Sequence, residues 1–174
     1  NAMRYNKLTE IGLTEEEIKK NLLFTTDKVG DTMSIAMRPA DSSKWFGTTP
    51  PDLSVIARAK SVNLGPSGTD YIYSYLRTFY RDAARPTGWD NVVFPSVGMP
   101  HAMWELQGPV TAQRTKVGLT NVDGKEQWVR TVTDIDQFGF HTQSSEVLTN
   151  YNGDDSETVV VTPVDPDRQA QFDN

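Results

Sequence analysis

Apolar positions recur with two different periods along this chain, and the change falls near residue 109. Before it they come at helical intervals, in short stretches broken by glycine and proline. Ile72, Leu76 and Phe79 sit at i, i+4 and i+7 with Tyr75 beside them, which predicts a helix from about Thr69 that Arg85-Pro86-Thr87-Gly88 ends. Thr49-Pro50-Pro51-Asp52-Leu53-Ser54 is a helix-start signal with Asp52 able to cap, and Leu53, Ile56 and Ala57 share one face of the helix expected after it. Thr14-Glu15-Glu16-Glu17 has the form of a capping box, so a short helix should run to about Leu23, with its acids first and Lys19-Lys20 later, as the helix dipole prefers. Residues 25–51 show no sustained period and read as a long structured loop. Gly65-Pro66-Ser67-Gly68 is a turn, and the stretches around Phe94-Pro95 and Gly98-Met99-Pro100-His101 are loop-like.

From Val110 onward the period is two. Lys116–Val122 and Glu126–Val132 flank Asp123-Gly124, and Asp-Gly between alternating runs predicts a hairpin, because both turn positions need positive φ. Thr158–Thr162 is a further strand. Residues 109–165 therefore read as a β-rich insertion outside a helical core, and no internal repeat is present.

Composition narrows the function classes. The 174 residues contain no cysteine, which removes disulfides, cysteine-ligated metals, thiol catalysis and thioether attachment of haem by these residues. No apolar run reaches the roughly 18 residues a membrane helix needs. The net charge of −6 lies in residues 146–174, where seven acids face Arg168 alone. Such a segment disfavours nucleic acid and favours basic partners, and its composition reads as a solvated, mobile tail. Asn1-Ala2 before Met3 reads as a tag remnant, and both ends suggest a piece of something longer.

Candidate chemistry is sparse. His101 and His141 are the two histidines, and neither has the spacing of a zinc site. No nucleophile elbow, phosphate loop or dinucleotide fingerprint occurs. A small hydrolase using His101 would require a Ser or Asp neighbour within hydrogen-bond reach. Gly98-Met99-Pro100 is the remaining unusual feature. A thioether is a soft, neutral ligand suited to haem iron, and the following proline would hold it rigid. The plain alternative is a methionine filling a gap in the core.

Three blocks in order, Pro50–Lys60, Asp70–Leu76 and Asn91–Pro95 with Met99-Pro100, resemble cytochrome c1, the haem subunit of the ubiquinol–cytochrome c reductase (bc1) complex. The resemblance covers roughly residues 3–108; residues 109–174 match loosely. It implies a mainly α fold, a cytochrome c-like helical core with long loops plus the β-rich insertion, the core being incomplete here. It implies that Met99 is the axial iron ligand, with Met103 the runner-up. Arg58 and Tyr71 match positions that contact a haem propionate, and Pro51 and Leu53 match haem-packing positions. Arg58 has the alternative of a solvated helix residue, Tyr71 that of packing beside Ile72, and His101 is expected to face solvent or cap a carbonyl.

The family attaches haem c through Cys-x-x-Cys-His, whose histidine is the fifth ligand. That motif is expected just upstream of Met3, so haem is expected in the intact protein and not on these residues alone. The partners implied are cytochrome b, the Rieske iron–sulfur protein and a soluble cytochrome c, on the periplasmic side of a bacterial inner membrane. The piece itself is expected to be soluble and to self-associate through apolar residues left without partners, such as Leu53, Ile72 and Met99. A haem-free interaction module with a degenerate cytochrome fold is the alternative reading.

Overall fold

The Thr14 capping box forms as its residue types dictate. In the computed structural model, which describes residues 3–63 and 65–173, Thr14 Oγ1 accepts the Glu17 amide at 3.3 Å and Glu17 Oε2 accepts the Thr14 amide at 2.8 Å. These bonds satisfy two of the donors that a helix start leaves open. They begin α1 (Glu15–Asn21). Its Ile18 is fully buried and packs with Tyr5 and Val29, and Leu8, Leu13, Leu22, Leu23 and Met33 close around them. Tyr5 opens a 3-10 segment, Tyr5–Ile11, which Gly12 ends in the left-handed region at φ 94°. The expected tag residues Asn1-Ala2 lie outside the described residues.

Residues 1–69 form one compact unit and 70–174 another. In the first, the expected long loop of 25–51 contains a helix, α2 (Pro39–Phe46), with Pro39 in its first turn, where a missing N–H costs nothing. The next helix, α3 (Ile56–Lys60), is short and starts later than its signal suggests. Asp52 does not cap it. Its Oδ1 accepts the Ser54 amide at 2.9 Å and the Ser54 hydroxyl at 2.6 Å, an Asx turn that competes with helix and leaves Leu53 outside it. The Ser54 hydroxyl and then its amide hold the Asp52 carboxyl down at about 2.

Helix α4 (Gly68–Arg77) leads into the second unit and starts where expected. A Cβ at Gly68 would overlap the Ala57 carbonyl, so glycine is required there by close approach. The helix ends eight residues before the Arg85-Pro86 stop. Phe79 does not continue its stripe; it opens β1 (Phe79–Arg81), which pairs antiparallel with β2 (Trp89–Asn91). After α5 (Trp104–Gln107) come β3 (Val110–Val122), β4 (Lys125–Ile135), β5 (His141–Val147), β6 (Ser156–Pro163) and α6 (Pro166–Asp173). The four long strands form one antiparallel sheet in the order β5-β4-β3-β6. The hairpin turn is as the sequence demands: Val122 pairs with Lys125, and Asp123 and Gly124 have φ of 52° and 79°.

The mainly α expectation is therefore overturned. Helix and strand each account for 28% of the chain, with two antiparallel sheets. The physical reason is that the helices are short and are interrupted by turns, whereas the period-two region pairs over its whole length. The expected acidic tail is structured too. It supplies β6 and α6, and Glu146 pairs with Arg130 at 2.6 Å.

The ribbon β1–β2 packs against the larger sheet. Tyr80, Val110, Ala112 and Ile135 are buried together, with Val92, Val159 and Val161 around them. Beside this core, Asp82 and Asp90 are both buried and are matched by basic side chains. Arg85 reaches Asp90 at 2.6 Å, His141 Nε2 lies 2.9 Å from Asp82, and Arg114 donates to the Tyr80 hydroxyl at 2.9 Å and lies 3.5 Å from Asp90. Buried carboxylates survive in proteins when they are paired and hydrogen-bonded in this way.

Candidate functional site

Met99 sits on a loop that side chains hold from within. Asn91, at the end of β2 and buried, accepts the amides of Val93 and Phe94 through Oδ1 at 2.9 and 3.0 Å, and donates from Nδ2 to the Tyr75 carbonyl at 2.7 Å. Asp90 Oδ1 accepts the amides of Asn91 and Ser96, at 2.9 and 2.7 Å. Ser96 takes a left-handed φ of 62°, and Val97 is buried against Phe79 and Trp89. Four residues further on, His101 is 3% exposed. Gly98-Met99-Pro100 is thus a short bulge between two buried anchors, and Met99 is 37% exposed at its crest.

The thioether has one oriented neighbour among the described residues. The Tyr75 hydroxyl donates to Met99 Sδ at 3.5 Å, an ordinary O···S distance given the radius of sulfur. Tyr75 follows Tyr71 by one helical turn, so both rings share a face of α4 and stack at 6.1 Å with 12° between planes. Tyr75 also meets the Phe79 ring edge-on at 5.2 Å. Burial pushes the Tyr75 phenol above its ordinary value, with the Tyr71 phenol adding to the shift, so Tyr75 remains an O–H donor at neutral pH.

His101 does not face solvent or cap a carbonyl as expected. Its ring stacks on Phe79 at 4.7 Å and meets Trp89 at 5.2 Å, and neither ring nitrogen has a hydrogen-bond partner among the described residues. Burial holds the imidazole below the ordinary histidine range, opposed by the neighbouring Gln107 side chain and helped by Arg81. No Ser or Asp therefore stands ready to make it a base, which removes the support that a hydrolase would need. The His–Asp pair of this chain is His141 with Asp82.

The other sequence-derived positions divide between the two units. In the second, Tyr71 and Met99 meet at a common residue, Tyr75. Met103, the runner-up ligand, is half-buried, and its carbonyl accepts the amides of Leu106 and Gln107 at the start of α5. In the first, Pro51, Leu53 and Arg58 are all exposed, Leu53 to 63%. Sequence reasoning missed Tyr75 as part of the site, although its i+4 spacing from Tyr71 was available. It also missed Asp90 and Asn91, whose role depends on backbone amides that no side-chain pattern reveals.

The donor chemistry fits one side of a haem iron. Met99, a partly exposed residue of the second unit, offers a neutral, soft thioether on a loop held at both ends. Among the described residues no group of His, Asp and Glu side chains is arranged to hold a metal ion by itself, and no helix is long and apolar enough to cross a membrane.

The model of the Cytochrome C1 family matches residues 1–111. The chain is 43% identical over 142 residues to a protein named ammonia monooxygenase gamma subunit from Nitrosomonas europaea, covering 78% of this chain and 56% of that one. It is 37% identical over 147 residues to a cytochrome c1 from Allochromatium vinosum, covering 84% and 56%. The chain thus spans little more than half the length of these two relatives.

Proposed function

Because this chain belongs to the cytochrome c1 family, we propose that it forms part of the electron-transfer haem subunit of ubiquinol–cytochrome c reductase. In that reading the intact protein stands beside cytochrome b on the periplasmic side of a bacterial inner membrane. It takes electrons from the Rieske iron–sulfur protein and passes them to a soluble cytochrome c. The observation that carries the reading is Met99, partly exposed at the crest of a loop anchored by Val97 and His101.

Haem c, when bound, supplies the one-electron couple. The residues of this chain would bind and orient it: Met99 through its sulfur on one side of the iron, Arg58 and Tyr71 at a propionate, Pro51 and Leu53 by apolar contact. With no cysteine in the chain, these 174 residues cannot themselves make the family's thioether attachment. Exposed acids in the last segment, Asp154, Asp155, Asp165 and Asp167, suit a basic electron acceptor.

The missing cysteines also favour a second reading, a haem-free interaction module. The relative named as an ammonia monooxygenase subunit adds a variant of it, membership of a different redox assembly. The match of the family model over most of the chain favours cytochrome c1. The test is the absorption spectrum of the full-length parent made in a host that attaches haem. A reducible low-spin haem is expected, with a ferric methionine-to-iron charge-transfer band that Met99→Leu abolishes. A colourless parent defeats the proposal and leaves the module reading.

A further inference from the structure

We propose that Tyr75 is a positioning residue for the Met99 sulfur and that its hydroxyl raises the reduction potential of the site. The inference rests on the reading of Met99 as an iron ligand and adds to it a residue to which the family resemblance assigned no role.

A thioether carries two lone pairs. With the Tyr75 hydroxyl donating to Sδ at 3.5 Å, one lone pair is engaged and the other is left to point elsewhere. The ring that carries the hydroxyl is held by stacking on Tyr71 and by its edge-on contact with Phe79, and the Asn91 side chain grips the Tyr75 backbone carbonyl. Asn91 also holds the amides of Val93 and Phe94, at the start of the loop that presents Met99. One buried side chain therefore ties the donor helix to the acceptor loop, so the O–H···S geometry is built into the backbone before any ligand arrives.

The sign of the effect follows from electrostatics. The positive end of the O–H dipole points at the sulfur and draws electron density from it. Both effects disfavour the more positive oxidation state of a bound metal, and so favour reduction. Removing the hydroxyl should lower the potential by at most about the weight of one hydrogen bond, a change of up to roughly fivefold in the equilibrium constant of the one-electron couple.

The experiment is an equilibrium redox titration of the haem-loaded full-length protein as parent, Tyr75→Phe and Tyr73→Phe. Phenylalanine at 75 keeps the ring contacts and loses the oxygen. Tyr73 is exposed on the same helix, and its ring lies under the Arg77 guanidinium, so its variant controls for loss of a phenol from α4. The expected result is a lower midpoint for Tyr75→Phe with a shifted ferric charge-transfer band, and no change for Tyr73→Phe. In the 174-residue chain, the Met99 methyl resonance of Tyr75→Phe should move toward the value of a free methionine. A parent that lacks the charge-transfer band overturns the ligand reading and this inference with it. A parent that has the band, with a midpoint that Tyr75→Phe leaves unmoved or raises, overturns this inference alone.

Discussion

Asn91 shows how much one side chain does in this fold. It is 1% exposed, and its amide makes three hydrogen bonds to backbone groups of Tyr75, Val93 and Phe94. Truncation to alanine leaves two donors and one acceptor without their partner in a place that solvent reaches poorly. Each such group costs about 1–3 kcal/mol when left unmade, and partial rescue by water brings the total toward the lower end of the sum. Asn91→Ala should therefore destabilise the second unit by about 3 kcal/mol, read as a lower midpoint in urea denaturation. Asn91→Asp keeps the acceptor for the two loop amides and loses the donor to Tyr75, and should fall between the two. Equal stability of Asn91→Ala and the parent would show that the loop holds itself.

Between elements, the cluster that joins the β1–β2 ribbon to the sheet carries the largest electrostatic stake. Asp90 is completely buried, and Arg85 holds it at 2.6 Å. Removing one partner of a buried pair typically costs about 3–5 kcal/mol, because the remaining charge stays buried. Arg114, 3.5 Å from the same carboxylate, shares the load. Arg85→Met should accordingly lose about 3 kcal/mol in chemical denaturation, and Arg85→Met with Asp90→Asn should recover part of it. A double variant no better than the sum of the singles would show that the charge is not what matters. None of this cluster could be read from the sequence, since its members come from positions 80 to 141 and only the strand register brings them together. What could be read was local. The Thr14–Glu17 capping box, the start of α4 and the Asp123-Gly124 hairpin are dictated within a few residues, and each formed. The reading failed where local signals compete. Asp52 turned toward Ser54 instead of capping a helix, and Phe79 matched a helical stripe yet had a strand partner, Asn91, twelve positions away. At the candidate site, Met99 and Tyr71 were expected through family resemblance, and the Tyr75 hydroxyl beside the Met99 sulfur was visible only once α4 and the loop were placed together.

At the scale of the whole chain, apolar exposure is the outstanding feature. Single exposed apolar residues are normal in soluble proteins. Here the first unit alone exposes Ile11, Phe24, Ile35, Trp45, Phe46, Leu53, Val55 and Val62 by more than half. Its buried core is small by comparison, with Tyr5, Ile18 and Val29 at the centre. Apolar surface in that quantity is covered by a cofactor, by more polypeptide or by another molecule. If the haem subunit reading is right, the intact protein supplies the first two. The 174 residues alone have only the third, so they should self-associate. Sedimentation velocity over a concentration series is expected to show a mass that rises above 19.5 kDa. Trp45→Ser with Phe46→Ser should move the distribution toward monomer, because these adjacent residues end α2 and are exposed to 65% and 58%. A monomer that persists at high concentration would mean that these side chains find shelter within the chain, and the apolar surface would then cease to be an argument for a missing haem.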